Sequence, residues 1–371
     1  MIAAMLCPTS YQDRDLPEGW PVGGGHWDAG KGMQSMRAAL EMAERADDLG
    51  FDWVSLTEHH YSPRILSPNP MVLGGAVSQR VKRAKIAVLG PILPLVNPIR
   101  LAEEYAVLDN LSGGRLIAGF LRGIPNEFQT YGVNPAETRD VFEEALSLIL
   151  RAWTEPEPFA WEGRHFRYRM VSVWPRPAQD PYPPIYMSGK APESGIFAAR
   201  HHFGMSLSFN SLEECLDSVG FYRQQCEAAG WQPTPDQVLY RHFCYVAETD
   251  EEAKRDTEPS HFGHFFAPIV AGPRANAQLG PVDGDWTGAR LREGQTLDKT
   301  LTATLERPPV WEGSAFIGSP DSVVEQIRYA HDVAGIGVVD LIFAGEGVSR
   351  EQTLRSLELF AREVLPRIRD L

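Results

Sequence analysis

Cysteine is scarce in this chain and forms no pattern. Cys7, Cys215, Cys226 and Cys244 are scattered over 371 residues with no C-x-x-C pair and no zinc-like spacing. That excludes a disulfide framework and a structural zinc site, and it leaves reduced thiols suited to a cytoplasmic protein. Basic residues are outnumbered, 35 Lys and Arg against 49 Asp and Glu, for a formal net charge of −14. An acidic balance of this size argues against nucleic acid or an anionic membrane as the main partner. Long apolar runs are missing too, since none approaches the roughly 18 residues that a membrane helix needs. The start, MIAAMLCPTS, is apolar for seven residues and has no basic leader, so it is expected to be a first strand and no signal peptide. No G-x-G-x-x-G opens a helix after that strand, which removes the chief mark of an open doubly wound sheet.

What is present is an ordinary globular composition, 43% hydrophobic and 23% charged, enough for one large core. Short β-branched and aromatic runs alternate with stretches of helical period. Strands are expected to start at Ile2, Trp53, Ile86, Leu116, Ile185, Met205, Val238 and Val338. Helical patterns follow most of them, over 33–49, 71–83, 98–111, 137–153, 193–202, 212–229, 250–255, 320–334 and 349–368. An alternating stretch at 159–174, FAWEGRHFRYRMVSVW, reads as a small hairpin on the outside. Eight strands in α/β alternation are what a closed (β/α)₈ TIM barrel requires, and its site would be built from loops at the C-terminal strand ends, with a doubly wound open sheet as the competing fold. From about 261 to 313 the periodicity fails. A long irregular segment inside a compact domain reads as a lid or binding loop. Its aromatic residues His261, Phe262, His264, Phe265, Phe266, Trp286 and Trp311, with Trp20 and Trp27 of the first loop, either line an apolar pocket or pack beneath the lid.

Four features at the expected strand ends carry chemistry, each with a plainer reading beside it. Glu58-His59-His60 follows the buried run WVSL. It is either a polar cluster bracing the loop, or a proton-transfer site at His59, histidine being the residue type suited to moving protons near neutral pH. A metal site is disfavoured because adjacent side chains on extended backbone point apart. Leu89-Gly90 either marks a bulge or lets a flat ligand approach the backbone. Arg122 is either a phosphate-binding guanidinium or the partner of Glu127 or Glu103 in a salt bridge. Ser188-Gly189-Lys190-Ala191-Pro192-Glu193-Ser194 is a loop of small residues entering a helix. It is either a phosphate loop, or a segment in which Ser194 caps its own helix.

With these residues in place, the chain resembles the bacterial luciferase-like family of flavin-dependent monooxygenases over nearly its whole length, least across 261–313. Four stretches carry the resemblance: 54–61 (VSLTEHHY), 98–116 (PIRLAEEYAVLDNLSGGRL), 119–132 (GFLRGIPNEFQTYG) and 184–199 (PIYMSGKAPESGIFAA). The resemblance implies one luciferase-like barrel domain over 1–371, with FMN at its C-terminal mouth. An insertion after the seventh strand, 256–315, would act as the substrate lid. By similarity His59 is the catalytic histidine, and Glu58 joins the cofactor-binding residues. Leu89-Gly90 matches the strand-end peptide, often cis, that supports the isoalloxazine ring. Arg122 matches the phosphate arginine, and Ser188, Gly189, Lys190 and Ala191 with Ser194 match the phosphate loop. Lys190-Ala191 stands where luciferases carry an acidic residue and a serine.

The implied reaction uses reduced FMN and O2, through a flavin C4a-peroxide, to oxygenate a small hydrophobic organic substrate, with no metal. No nicotinamide-binding segment is evident, so a separate flavin reductase would supply the reduced FMN. Family habit implies a homodimer, and the scattered cysteines fit a cytoplasmic protein. The alternatives are an F420- or NAD(P)H-dependent oxidoreductase of the same superfamily, a non-catalytic flavin-binding protein and a metal-dependent barrel hydrolase.

Overall fold

The computed structural model describes residues 1–11, 16, 20–189, 191–258, 315–345 and 347–371. Its strands in chain order are β1 (Ile2–Leu6), β2 (Trp53–Leu56), β3 (Lys85–Val88), β4 (Leu116–Phe120), β5 (Phe159–Glu162), β6 (Arg167–Val171), β7 (Ile185–Ser188), β8 (Gly204–Ser208), β9 (Val238–Val246), β10 (Ala315–Gly318) and β11 (Val338–Ile342). The sheet runs β11-β1-β2-β3-β4-β7-β8-β9, and β9 pairs back onto β11, so eight parallel strands close a barrel. The expected (β/α)₈ architecture is therefore the observed one. β5 and β6 form the expected antiparallel hairpin outside it.

Closure follows from the side-chain pattern. Four of the eight barrel strands, β2, β4, β9 and β11, are buried along their whole length, as strands covered on both faces must be. One set of side chains, including Val54, Ile86, Leu116 and Leu207, packs outward against the helices. The alternate set, including Trp53, Ile117, Tyr186, Leu239 and Val338, fills the lumen. Tyr105, on the helix Pro98–Ser112, sends its buried hydroxyl to Val88 O at 3.2 Å and Gly119 O at 2.5 Å, pinning that helix to β3 and β4.

Three elements differ from expectation. The first helix runs Ala29–Leu49, four residues longer at its start than its apolar period shows, because the Asp28 carboxylate caps it by accepting from Lys31 N at 2.8 Å. A ninth strand, β10, pairs in parallel with the end of β9, from Ala315 opposite Phe243 to Gly318 opposite Val246. Nine-residue β9 outruns its barrel neighbours and has edge left to pair, and no periodicity in four residues announces this. Within the expected loop 122–134 stands a short helix, Pro125–Tyr131, ended by Gly132 at φ 63°. The expected lid, 256–315, lies outside the described residues except at 256–258 and 315, and so do all seven of its named aromatic residues. Among the described residues no helix is long and apolar enough to cross a membrane.

Candidate active site

β2 ends at Leu56, and the extended backbone beyond it sends consecutive side chains to opposite sides. His59 and His60 accordingly point apart, and each finds its own carboxylate. His59 Nδ1 lies 3.1 Å from Glu127 Oε1, with the two side chains 17% and 2% exposed. The other Glu127 oxygen accepts from Ile124 N at 3.1 Å. His60 Nε2 lies 3.0 Å from Glu58 Oε1, and both groups are buried. Tyr131 approaches His60 Nδ1 at 3.5 Å with its ring edge-on, and Trp20 Nε1 donates to His60 O at 2.8 Å. The two histidines differ in setting: His60 is buried and braces the loop, while the His59 side chain stays partly exposed. Burial pushes the Glu58 carboxyl above its ordinary range. The bond from His60 opposes that shift, and the nearby Glu127 charge adds to it. Among the described residues no three His, Cys, Asp or Glu side chains converge on a position for a metal ion.

The strand end beside this cluster is Leu89-Gly90. A Cβ on Gly90 would fall 2.7 Å from Glu58 N and 2.8 Å from Thr57 C, so only glycine lets β3 pass this close to the histidine loop. The peptide itself corrects the expectation from resemblance. All cis bonds among the described residues precede proline, at Trp20-Pro21, Trp174-Pro175 and Asp180-Pro181, and Leu89-Gly90 is trans. Leu89 is buried, and its N–H donates to Leu56 O at 2.9 Å.

Across the mouth, Arg122 pairs with neither Glu127 nor Glu103. Its Nη1 donates to Thr138 Oγ1 at 3.2 Å, and among the described residues no carboxylate lies within ion-pair distance. Arg139 comes up beside it and donates from Nη1 to Ser194 Oγ at 3.1 Å, with Glu193 Oε2 at 3.8 Å from Nη2. Burial, and then the like charge of Arg139, pull the Arg122 guanidinium below its ordinary value, while Glu193 partly opposes them. Ser194 does not cap its helix. Ala191 stands at the cap position of Pro192–His201, and no side chain caps that start. Ser188 ends β7 two residues beyond the inward Tyr186, and Gly189 N–H donates to Ser206 O at 2.9 Å. Lys190 lies outside the described residues.

Sequence reasoning named Glu127 only as a possible partner of Arg122, and it missed Arg139, Thr138 and Tyr131. The first and last sit on the unforeseen helix Pro125–Tyr131. Arg139 looks in sequence like any exposed residue of a helix start, and only the packing of Thr138–Thr154 turns it to Ser194. Of the aromatic residues placed in the first loop, Trp20 is buried against His60, and Trp27 is 53% exposed. A separate cavity of about 370 Å³ beside β10, lined by Asp250, Lys254, Ser322 and Gln326 among others, shares no residue with this cluster.

Compared with known proteins, the chain matches the sequence model described as luciferase-like monooxygenase over residues 18–335. It belongs to that family. The alkanal monooxygenase alpha chain of Photorhabdus luminescens is 25% identical over 344 residues, covering 90% of this chain and 92% of that protein. Among solved structures, monooxygenase RslO1 of Streptomyces bottropensis superposes with a TM-score of 0.76 at 28% identity over 99% of both chains. The oxygenating constituent of 3,6-diketocamphane monooxygenase of Pseudomonas putida, a type II Baeyer-Villiger enzyme in complex with FMN, gives a TM-score of 0.74 at 22% identity over 99% of this chain and 98% of that one. An F420-dependent secondary alcohol dehydrogenase shares the fold, with a TM-score of 0.70 at 16% identity over 100% of this chain and 99% of that one. This luciferase-like monooxygenase thus sets its histidine cluster and its paired arginines on the face where barrels of its architecture carry their sites.

Proposed function

We propose that this chain is the oxygenase of an FMN-dependent monooxygenase that places one oxygen atom of O2 on a small hydrophobic organic substrate. One juxtaposition carries the proposal. Two guanidinia, Arg122 with no carboxylate at ion-pair distance among the described residues and Arg139 with Glu193 Oε2 no nearer than 3.8 Å, stand with a serine hydroxyl at an uncapped helix start, and a carboxylate-oriented imidazole follows the end of β2. Neighbouring cations in a half-buried site repel one another, and a phosphate dianion between them relieves that repulsion and uses their free N–H groups.

Bound and reduced, FMN would supply the electrons and the ring position at which O2 is activated. The remaining work falls to this chain. Arg122, Arg139 and Ser194 hold the phosphate, and the bare backbone at Gly90 lets a flat ring lie close. Glu127 accepts from His59 Nδ1, which leaves Nε2 as the atom that takes or gives a proton at the mouth. Glu58, His60 and Tyr131 hold the wall behind it. With no nicotinamide-binding segment evident, the flavin arrives reduced from a separate flavin reductase, in keeping with a structural relative described as an oxygenating constituent. The enzyme acts in the cytoplasm as a homodimer.

A second reading takes F420 in place of FMN, favoured by the likeness to the F420-dependent dehydrogenase. The absorbance of the bound cofactor separates the two. The deciding experiment titrates oxidised and photoreduced FMN into the wild type and into Arg122→Met and Arg139→Met, and then follows oxygen uptake. Loss of one charged contact weakens binding about 10- to 100-fold. Unchanged affinity in both variants, or no oxygen uptake by the loaded wild type, defeats the proposal.

A further inference from the structure

Below the mouth the barrel lumen holds a charged cluster that the proposed reaction leaves unused. Strand alternation fixes which residues point inward. Trp53, Leu239 and Val338 pack together in the lumen, so the residues two further along, Ser55, Arg241 and Asp340, share that face. On β9 the intervening Tyr240 packs outward against the helices. Arg241 and Asp340 are direct partners in the β9–β11 ladder. Ser55 reaches Asp340 over β1, where small Ala4 pairs with Asp340 on one side and Trp53 on the other.

The two charged groups are unequally satisfied. Asp340 is 0% exposed, and both its oxygens are used: Oδ1 accepts from Ser55 Oγ at 2.7 Å and Oδ2 from Arg241 Nε at 2.8 Å. Arg241 Nη2 crowds the same Oδ2 at 2.7 Å without hydrogen-bond geometry. Among the described residues no other acceptor meets its Nη groups, although the residue is only 6% exposed. A guanidinium serves a carboxylate best through both oxygens in a fork, and here Ser55 holds the second oxygen, so half the fork is idle. Buried cationic donors without acceptors are unfavourable. As mere cement the pair would be matched or bettered by apolar side chains of its own volume. Elsewhere on the inner face, Ala87 and Gly119 carry little or no side chain.

We propose that Arg241 anchors the substrate, its idle N–H groups receiving a carbonyl or carboxylate oxygen that enters the lumen from the mouth. This deepens the monooxygenase reading and rests on it. The flavin ring is the other possible source of such an oxygen. Depth favours the substrate: Ser55 lies four residues below His59, about 13 Å of extended chain, beneath the level of the phosphate and histidine groups.

The test titrates acetophenone, benzoate and oxygen-free ethylbenzene, by calorimetry, into the FMN-loaded wild type, into Arg241→Met/Asp340→Leu, which removes both charges together, and into Arg241→Lys, which keeps the charge and loses the fork. The wild type is expected to favour an oxygen-bearing probe over ethylbenzene by at least tenfold. The double variant loses that preference about 10- to 100-fold with ethylbenzene and FMN binding unchanged, and the lysine variant loses part of it. Equal preference in wild type and variants means that Arg241 holds water only, and overturns the proposal. A changed FMN affinity or flavin potential with preference intact assigns the guanidinium to the flavin, and overturns it too. If the wild type does not bind FMN, the monooxygenase reading fails by itself, and the same titration of the flavin-free chain still decides whether Arg241 binds an acceptor oxygen. If the double variant does not fold, the lysine variant decides: full retention of the preference refutes the role.

Discussion

Glu127→Gln exchanges one carboxylate oxygen for an NH2 group with almost no change of volume, yet it cannot satisfy both of its neighbours. In the wild type the carboxylate accepts twice, from His59 Nδ1 at 3.1 Å and from Ile124 N at 3.1 Å. An amide has one oxygen and one donor nitrogen. If its oxygen faces His59, its NH2 opposes the Ile124 N–H, and the start of the helix Pro125–Tyr131 is left with a buried unpaired donor. If its oxygen faces Ile124, its NH2 donates to His59 Nδ1 and forces the proton onto Nε2, so the ring presents a donor where the proposed chemistry needs an acceptor. Either way a charge-assisted bond is lost, worth about 1.5–3 kcal/mol, which corresponds to roughly a 10- to 100-fold effect. The assay is the ratio of oxygenated product to hydrogen peroxide when the protein is mixed with reduced FMN, substrate and O2, with a pH profile of coupled turnover alongside. The expected result is coupled turnover lowered about 10- to 100-fold, more peroxide, and FMN affinity within about twofold of wild type, because the phosphate groups are untouched. Wild-type coupling and an unshifted pH profile in a fully FMN-loaded variant would refute the reasoning that Glu127 sets the state of His59.

Two further predictions concern the scaffold. Asp47 accepts from the backbone N–H groups of Lys82, Arg83 and Ala84 at 2.7–3.0 Å. Burial pushes its carboxyl up, but these bonds and the Arg83 charge together hold it below the ordinary value. Its contribution is therefore present above the unfolded carboxyl range, near 3.9, and is lost as pH falls through the lowered folded value. Asp47→Asn is expected to destabilise by about 1–3 kcal/mol at pH 7, with the gap closing in acid. A constant gap in urea melts from pH 7 to pH 3 would contradict this. Gly90→Ala is expected to destabilise by about 1–3 kcal/mol, since its Cβ meets backbone and no yielding side chain. A melting temperature equal to wild type would show that β3 and the histidine loop can part freely.

Much of this molecule is legible in one dimension because it rests on local periodicity. A strand buried on both faces must be a short apolar run, and a helix covering it must repeat near 3.6 residues. Eight such runs therefore announce a barrel, and the polar residues after each run mark its mouth. His59, Arg122 and Ser194 stand out for that reason. β10 does not, because its four residues carry no period and its pairing is decided by the spare length of β9.

From sequence alone come the closed α/β barrel, the acidic charge balance and the end of the barrel where the candidate polar residues gather, all of them consequences of residue order within a few turns of chain. The tertiary structure alone decides which carboxylate serves which histidine, that Arg139 joins Arg122, that Leu89-Gly90 is trans and that Arg241 meets Asp340 inside the lumen. Those pairings span 68 residues for His59 with Glu127 and 99 for Arg241 with Asp340. No local pattern encodes a partner that far away, because strand tilt, helix packing and the close approach at Gly90 select it only once the barrel has closed.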